Sequence, residues 1–101
     1  MNRTQYLDAT EWQSQNFKQA TALSCVNHLE EEVSELKEAI ELGIADEKEI
    51  ADCFLLLFGI CSKFGMSYED IYYAIHNKMI ENKSRNWGKP NEKGYVKHID
   101  K

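Results

Sequence analysis

The segment from about Thr21 to Leu42 constrains the fold more than any other part of the sequence. Apolar residues recur in it with alternating spacings of three and four, at Val26, Leu29, Val33, Leu36 and Ile40. This period matches one face of an α-helix rather than the alternation of a strand. Gly43 follows at the position where helices commonly end in a left-handed residue. The pattern therefore predicts a long amphipathic helix.

A second strong pattern follows after a short turn. Asp46 is suited to be an N-cap, with Glu49 at the position that completes a capping box. The predicted helix continues through an apolar run to Phe64 and ends at Gly65. Because this helix is apolar on nearly all sides after its first turn, we expect it at the centre of a helical bundle.

The remaining helices have weaker signals. Ser67 is a candidate N-cap for a helix that reaches about Lys83, and Thr10 is a candidate cap for a short first helix after an irregular start. No segment shows the period of two that strands require. We therefore predict an all-α bundle of four to five helices in one domain, residues 1–101, of which about 91–101 form a polar tail.

Composition limits the functions open to such a chain. The net charge of −5 argues against binding to duplex nucleic acid, which usually needs a basic face. The longest apolar run, residues 53–61, is too short to cross a bilayer, so we expect no membrane partner. The three cysteines, Cys25, Cys53 and Cys61, lie in apolar surroundings without paired-ligand spacing, so they are interpreted as buried thiols in a reducing cytoplasm.

Carboxylates are concentrated on both sides of the predicted turn. Glu32 with Glu35, and Glu49 with Asp52, are pairs three residues apart, so each pair shares one helix face. Two such pairs facing each other would repel unless a cation lay between them. Oxygen ligands favour Mg²⁺, or Mn²⁺ as a substitute, over zinc. The alternatives are a solvated acidic face, a capping role for Glu49, or a purely structural metal.

A basic segment closes the last predicted helix, with Lys78, Lys83, Arg85 and Lys89. It is either a solubilising helix end or, beside a metal site, a polyphosphate contact to which Asn82 adds an amide. Trp12 and Trp87 are candidates for stacking on a base, although Trp12 is equally suited to being a lid on the core and Trp87 to packing over the end of the bundle.

Three segments resemble one family, the MazG-like all-α nucleoside triphosphate pyrophosphohydrolases, and within it the short dATP/dGTP diphosphohydrolase branch of phages and prophages. They are HLEEEVSEL at residues 28–36, EIAD at residues 49–52, and the KxxxNxxRxW pattern at residues 78–87. The resemblance implies Mg²⁺-dependent hydrolysis of a (deoxy)nucleoside triphosphate, with a purine dNTP preferred, to the monophosphate and pyrophosphate. It also implies a bundle that works as a homodimer or homotetramer.

The resemblance further implies a role for each matching residue. Glu32, Glu35, Glu49 and Asp52 become metal ligands, and Lys78, Asn82 and Arg85 become phosphate contacts. Glu31 becomes a further ligand or the residue that positions the attacking water, a role for which Glu35 is also a candidate. The competing hypothesis is a non-catalytic helical module, which dimerises through its apolar stripes and leaves its acidic face solvated.

Overall fold

The structure, a computed structural model, describes residues 1–99 and contains four helices in that range. They are α1 (Arg3–Asn16), α2 (Ala22–Glu41), α3 (Glu47–Lys63) and α4 (Tyr68–Ser84). The only strand-like pairing within residues 1–99 is an isolated bridge between Trp87 and His98. The predicted all-α class is therefore confirmed. No single helix in the described range combines the length and hydropathy needed to cross a membrane.

Helices α2 and α3 begin and end close to where the sequence predicts. Thr21 caps α2 and forms a reciprocal capping box with Ser24, and the Asp46 side chain accepts hydrogen bonds from the amides of Lys48 and Glu49. Gly43 and Gly65 follow the two helices with φ of +72° and +73°. These left-handed positions strongly favour glycine, so the chain turns there at little cost.

The prediction for the first helix was wrong. Helix α1 begins at Arg3 rather than near Thr10, because Asn2 caps it and Gln5 completes the capping box. Thr10 lies inside the helix, where it is buried and its hydroxyl donates to the Tyr6 carbonyl four residues earlier. A threonine whose hydroxyl is satisfied in this way can occupy a helix interior instead of ending it.

Residues Met1–Ile71 form one compact unit, in which α3 packs against both α1 and α2. Tyr6 is 2% exposed, contacts Phe58 edge to face and donates its hydroxyl to the Met66 carbonyl. Arg3 forms an ion pair with Glu69. These contacts fix α1 against the turn between α3 and α4.

Few large side chains are buried in this unit, and α3 departs from the prediction of a helix covered on nearly all sides. Gly59 is its only fully buried residue, whereas Phe54 and Leu57 are about half exposed. Cys25, Cys53 and Cys61 are free thiols, each only partly buried rather than enclosed in a core. Much of the apolar surface that periodicity assigns to a core therefore faces outward in the single chain.

The second compact unit begins at Tyr72 and contains most of α4 and the segment after it. That segment folds back on itself, since the amide of Gly88 donates to the Lys97 carbonyl and the amide of Ile99 donates to the Asn86 carbonyl. Asn91 and Tyr95 close the turn between them. Residues 91–99 of the predicted polar tail are thus held by hydrogen bonds, and residues 100–101 lie outside the described range.

Candidate active site

The first unit contains a cleft of about 770 Å³ between α1, α2 and α3. Glu32 of α2 and Asp52 of α3 both line it, as do His28 and a set of small polar residues. The sequence predicts that these two acids lie at the edge of apolar surface, and the cleft contains such surface at Leu55 and Leu56. A pocket that combines apolar walls with a few converging polar groups is the usual form of a small-molecule site.

The carboxylates predicted on either side of the turn come together in the folded chain. The pKa of Glu35 is raised above its ordinary value, first by the negative charge of Glu32, then by desolvation and by the charge of Glu31. A hydrogen-bond contact with Glu32 and the charge of Glu49 raise it further. Because α3 folds back along α2, Glu49 of one helix acts on Glu35 of the other. The site therefore has a concentration of negative charge that favours a cation.

His28 contacts this cluster through Glu32. Its Nε2 lies 3.2 Å from Oε1 of Glu32, one helical turn away. Glu32 is the more enclosed of the two, with 23% of its side chain exposed against 58% for His28. The imidazole therefore restricts the orientation of the Glu32 carboxylate, which lines the cleft.

The donor set of the cluster is that of a hard divalent cation. It consists of carboxylate oxygens, which Mg²⁺ and Mn²⁺ prefer, and a single imidazole. Within residues 1–99 no three His, Cys, Asp or Glu side chains already converge as ligands. The residues that could hold a metal are those predicted from the sequence, Glu32, Glu35, Glu49 and Asp52, with Glu31 adjacent.

Two aromatic side chains form part of the cleft wall. Trp12 and Phe17 meet edge to face with ring centroids 5.3 Å apart, and they are 55% and 52% exposed. Exposed aromatic faces at the wall of a pocket suit stacking on a flat ring. Trp12 is thus part of the cleft rather than a lid on a core, and Phe17 joins it without having been predicted.

Gln13, which follows Trp12, is a cleft residue that no sequence pattern singled out. Its Nε2 donates to the Leu55 carbonyl at 2.9 Å, whereas its Oε1 is buried without a hydrogen-bond partner. A buried acceptor without a partner costs about 1–3 kcal/mol. Gly59 lies opposite this oxygen, and a Cβ there would be 3.2 Å from it.

The basic residues predicted to contact phosphate lie in the second unit, where they contact one another. Glu81 binds both Lys78 at 3.3 Å and Arg85 at 2.6 Å. The Trp87 indole donates to the Asn82 carbonyl, and its ring meets His98 edge to face. Lys78 and Arg85 are therefore held by an acidic residue of their own helix face, which the spacing of three and four residues would have predicted.

We expect an NMR titration to show these ion pairs as a lowered pKa of Glu81. Its pKa is lowered from the ordinary value of 4.5 by the contact with Lys78, then by the charges of Arg85 and Lys78. A carboxyl group whose pKa is lowered by folding stabilises the folded state at pH values above its ordinary pKa. This stabilisation is lost as the pH falls through the lowered pKa of the folded state. The measurement is the side-chain ¹³C shift of Glu81 between pH 2 and 7.

The variants Lys78→Met and Arg85→Met provide the comparison, because each removes one of the two partners. Both should raise the pKa of Glu81 toward 4.5. A wild-type value at or above the ordinary one would contradict the ion pairs of this segment.

Comparison with known proteins places these features in context. The model of a family described as dATP/dGTP pyrophosphohydrolase matches residues 6–101. Among solved structures, the cyanophage S-2L MazG-like pyrophosphohydrolase bound to dGDP and three catalytic Mn²⁺ ions per active site is similar, with a TM-score of 0.82 and 22% identity. The similarity covers 100% of this chain and 96% of that one. No curated protein matches the chain. The two structures share one fold.

Proposed function

The chain belongs to the dATP/dGTP pyrophosphohydrolase family, and we propose that it hydrolyses dATP and dGTP to the monophosphate and pyrophosphate. The observation that carries this proposal is the acidic cluster beside the cleft, in which Glu31, Glu32 and Glu49 together raise the pKa of Glu35. Carboxylates brought this close are destabilising in isolation, and divalent cations, which also bind a polyphosphate, would offset their charge.

The cations in this proposal are Mg²⁺, with Mn²⁺ as a substitute. Glu32, Glu35, Glu49 and Asp52 would hold them, and the Mn²⁺ ions of the similar cyanophage enzyme support a divalent metal. When bound, such ions offset the charge of the phosphates and lower the pKa of a water molecule. Glu31 and Glu35 are exposed, so their side chains can rotate toward such ions at small cost.

Each acidic side chain then has a task in the reaction. Glu31 or Glu35 orients and deprotonates a water molecule, which attacks the α-phosphorus as the bond to the bridging oxygen breaks and pyrophosphate leaves. Glu35, whose pKa is raised by the neighbouring carboxylates, is a candidate to accept the proton. His28 holds Glu32 in place through its 3.2 Å contact.

The basic segment supplies the phosphate contacts. Lys78 and Arg85 exchange Glu81 for phosphate oxygens of the substrate, and Asn82 adds an amide donor. Arg85 is suited to stabilise the leaving pyrophosphate because a guanidinium binds two oxygens at once. The base stacks on Trp12 in the cleft, and Trp87 is a second candidate for a stacking contact.

We also propose that the chain acts as a homodimer or homotetramer. Val26, Val33 and Ile40 form an exposed stripe on α2, and Ile50, Phe54 and Leu57 form one on α3. At about 100° per residue, the α3 stripe lies opposite the side that faces the cleft. Association through these apolar stripes, which a second copy would cover, leaves the cleft open.

The setting proposed for the enzyme follows from its chemistry. A single domain that acts on free nucleotides belongs in the cytoplasm of a bacterium or of a phage-infected host cell. With a net charge of −5, neither duplex nucleic acid nor an anionic membrane is a suitable partner.

Incubation of the pure protein with single dNTPs and Mg²⁺ tests the proposal. We expect dGMP or dAMP together with pyrophosphate, resolved by ion-exchange chromatography, and no turnover after chelation with EDTA. Orthophosphate with a diphosphate product would mean that a different phosphorus is attacked. The absence of turnover with every nucleotide and either metal would overturn the proposed reaction.

A further inference from the structure

We propose that Oε1 of Gln13 accepts a hydrogen bond from the exocyclic amino group of the purine base, and so selects amino-bearing purines over deaminated ones. This inference rests on the proposed function, because it takes the cleft as the nucleotide site. It assigns a specificity-determining role to a residue for which neither spacing nor composition indicated one.

The hydrogen bonds of Gln13 leave its amide oxygen available. Nε2 must be the nitrogen, because it lies 2.9 Å from the Leu55 carbonyl, which can only accept. Oε1 is therefore fixed as the other atom of the amide, and it is buried without a partner within residues 1–99. An acceptor in this state gains a full hydrogen bond from any donor that the ligand brings.

Gln13 of α1 contacts α3 beside the part of the cleft where the base would lie. Its contacts are with Leu55 and Gly59, which follow Asp52 by three and seven residues. At 1.5 Å per residue, Gly59 lies about 10 Å along the helix from the acidic end. A nucleotide whose phosphates lie at Asp52 would extend its base toward this part of the wall, beside Trp12 and Phe17.

The surroundings of Gln13 allow its amide to reach a ligand. Gly59 has no side chain, so the amide is not enclosed there by a Cβ. Gln13, Leu55 and Gly59 all line the cleft, so Oε1 lies at its wall, and a small rotation about the broad terminal torsion would present it to a ligand while Nε2 stays within hydrogen-bonding range of the Leu55 carbonyl. An amino group of the base would then donate a hydrogen bond to Oε1, which otherwise has no partner.

An acceptor at this point distinguishes bases by one chemical group. The amino group is on C6 of adenine and on C2 of guanine, so a given orientation of the base presents only one of these groups to Oε1, and hypoxanthine carries neither. A base without that group would leave Oε1 unpaired in a water-excluded wall, which is how a polar site rejects an analogue. Stacking on Trp12 and Phe17, by contrast, tolerates any purine.

Matched nucleotide pairs test the inference on the unmodified protein. We expect kcat/KM to be about 5- to 30-fold higher for dGTP than for dITP, or for dATP than for the triphosphate of purine deoxyriboside, because each pair differs by one amino group. Ratios within twofold in both pairs would overturn it. The pair that shows the larger ratio identifies the amino group that is read.

Substitution then assigns the preference to Gln13. The variant Gln13→Met removes the acceptor and keeps a similar shape, and it should reduce the preferred ratio to about twofold. Gln15→Met on the same helix is the matched control, since Gln15 is exposed and does not line the cleft, and it should keep the wild-type ratio. If Gln13→Met kept the wild-type preference for the amino-bearing nucleotide, the assignment would be overturned. The ratio of the two kcat/KM values is the readout because a general loss of activity lowers both values alike.

Equilibrium binding separates this inference from the proposed reaction. Quenching of tryptophan fluorescence by dGMP and dIMP, and by dAMP and the monophosphate of purine deoxyriboside, measures amino-group discrimination without turnover. If no nucleotide is turned over but the monophosphates within a pair still bind with different affinities, only the proposed reaction is refuted. Turnover with equal affinity and equal kcat/KM within each pair would refute only the role of Gln13.

Discussion

Glu32→Gln and Asp52→Asn are each expected to lower kcat for dGTP by at least about 1,000-fold, which is about 4 kcal/mol in the activation barrier. Each change keeps the size of the side chain and removes the negative charge that would bind a cation. Glu32 also has a defined orientation, held by His28 at 3.2 Å. Loss of either ligand would misplace both the metal and the attacking water, so the effect appears in kcat rather than in KM alone.

The same two variants should keep the fold, which separates a role in chemistry from a role in stability. Removing the charge of Glu32 relieves its repulsion of Glu35 in the absence of metal, and Asp52 is exposed, so the melting temperature of each variant should be equal or higher. Addition of Mn²⁺ should raise the melting temperature of the wild type and have less effect on the variants. Circular dichroism with and without metal measures both effects.

Glu30→Gln is the matched control for these substitutions. Glu30 lies on the same helix and carries the same charge, but it is exposed, does not line the cleft and is not among the groups that raise the pKa of Glu35. We expect its turnover to equal that of the wild type. Near-wild-type turnover in both Glu32→Gln and Asp52→Asn would refute the ligand assignment.

The double variant Val33→Lys and Phe54→Lys is expected to convert the proposed oligomer to a monomer. Val33 and Phe54 are 49% and 56% exposed in the single chain and belong to the apolar stripes of α2 and α3. Each buried apolar side chain of this size contributes about 1.5–3 kcal/mol, and a two-fold interface counts each change twice. The dissociation constant should rise by at least about 1,000-fold, measured by sedimentation equilibrium.

A lysine at Leu42 gives the control for this test. Leu42 is 66% exposed and, by its register on α2, lies on the side opposite the stripe. Leu42→Lys adds the same charge and removes a similar apolar area, and it should leave the oligomer intact. A monomeric wild type, or an oligomer that survives the double variant, would refute the proposed surface.

The parts of the fold that could be predicted are those with a local cause. The periodicity of α2, the Asp46 cap and the two left-handed glycines all act within a few residues, and each was confirmed. Helix α1 has no such periodicity, and its position depends on contacts distant in sequence, such as Tyr6 with the Met66 carbonyl. No local pattern encodes such a contact, whereas the start of α1 was misplaced because the local capping box of Asn2 and Gln5 was passed over in favour of Thr10.

The same division applies to the candidate site. Spacing predicted that Glu32, Glu35 and Glu49 approach one another, and they do so, while their role as metal ligands remains a prediction. Gln13 belongs to a polar helix and had no distinguishing signal, because its significance comes from the backbone of another helix. The family match, in turn, favours an enzyme over the non-catalytic module that the residues alone left open.

A side chain at Gly59 would change both the stability of α3 and the space in the cleft that Gly59 lines. In a helix interior, alanine is more favourable than glycine by about 1 kcal/mol, so an engineer seeking heat resistance would replace it. The added methyl group would lie 3.2 Å from Oε1 of Gln13 and 3.6 Å from Sγ of Cys25, so the amide would have to shift by a few tenths of an ångström. The substitution Gly59→Ala would therefore raise thermal stability while disturbing the discrimination between bases proposed for Gln13.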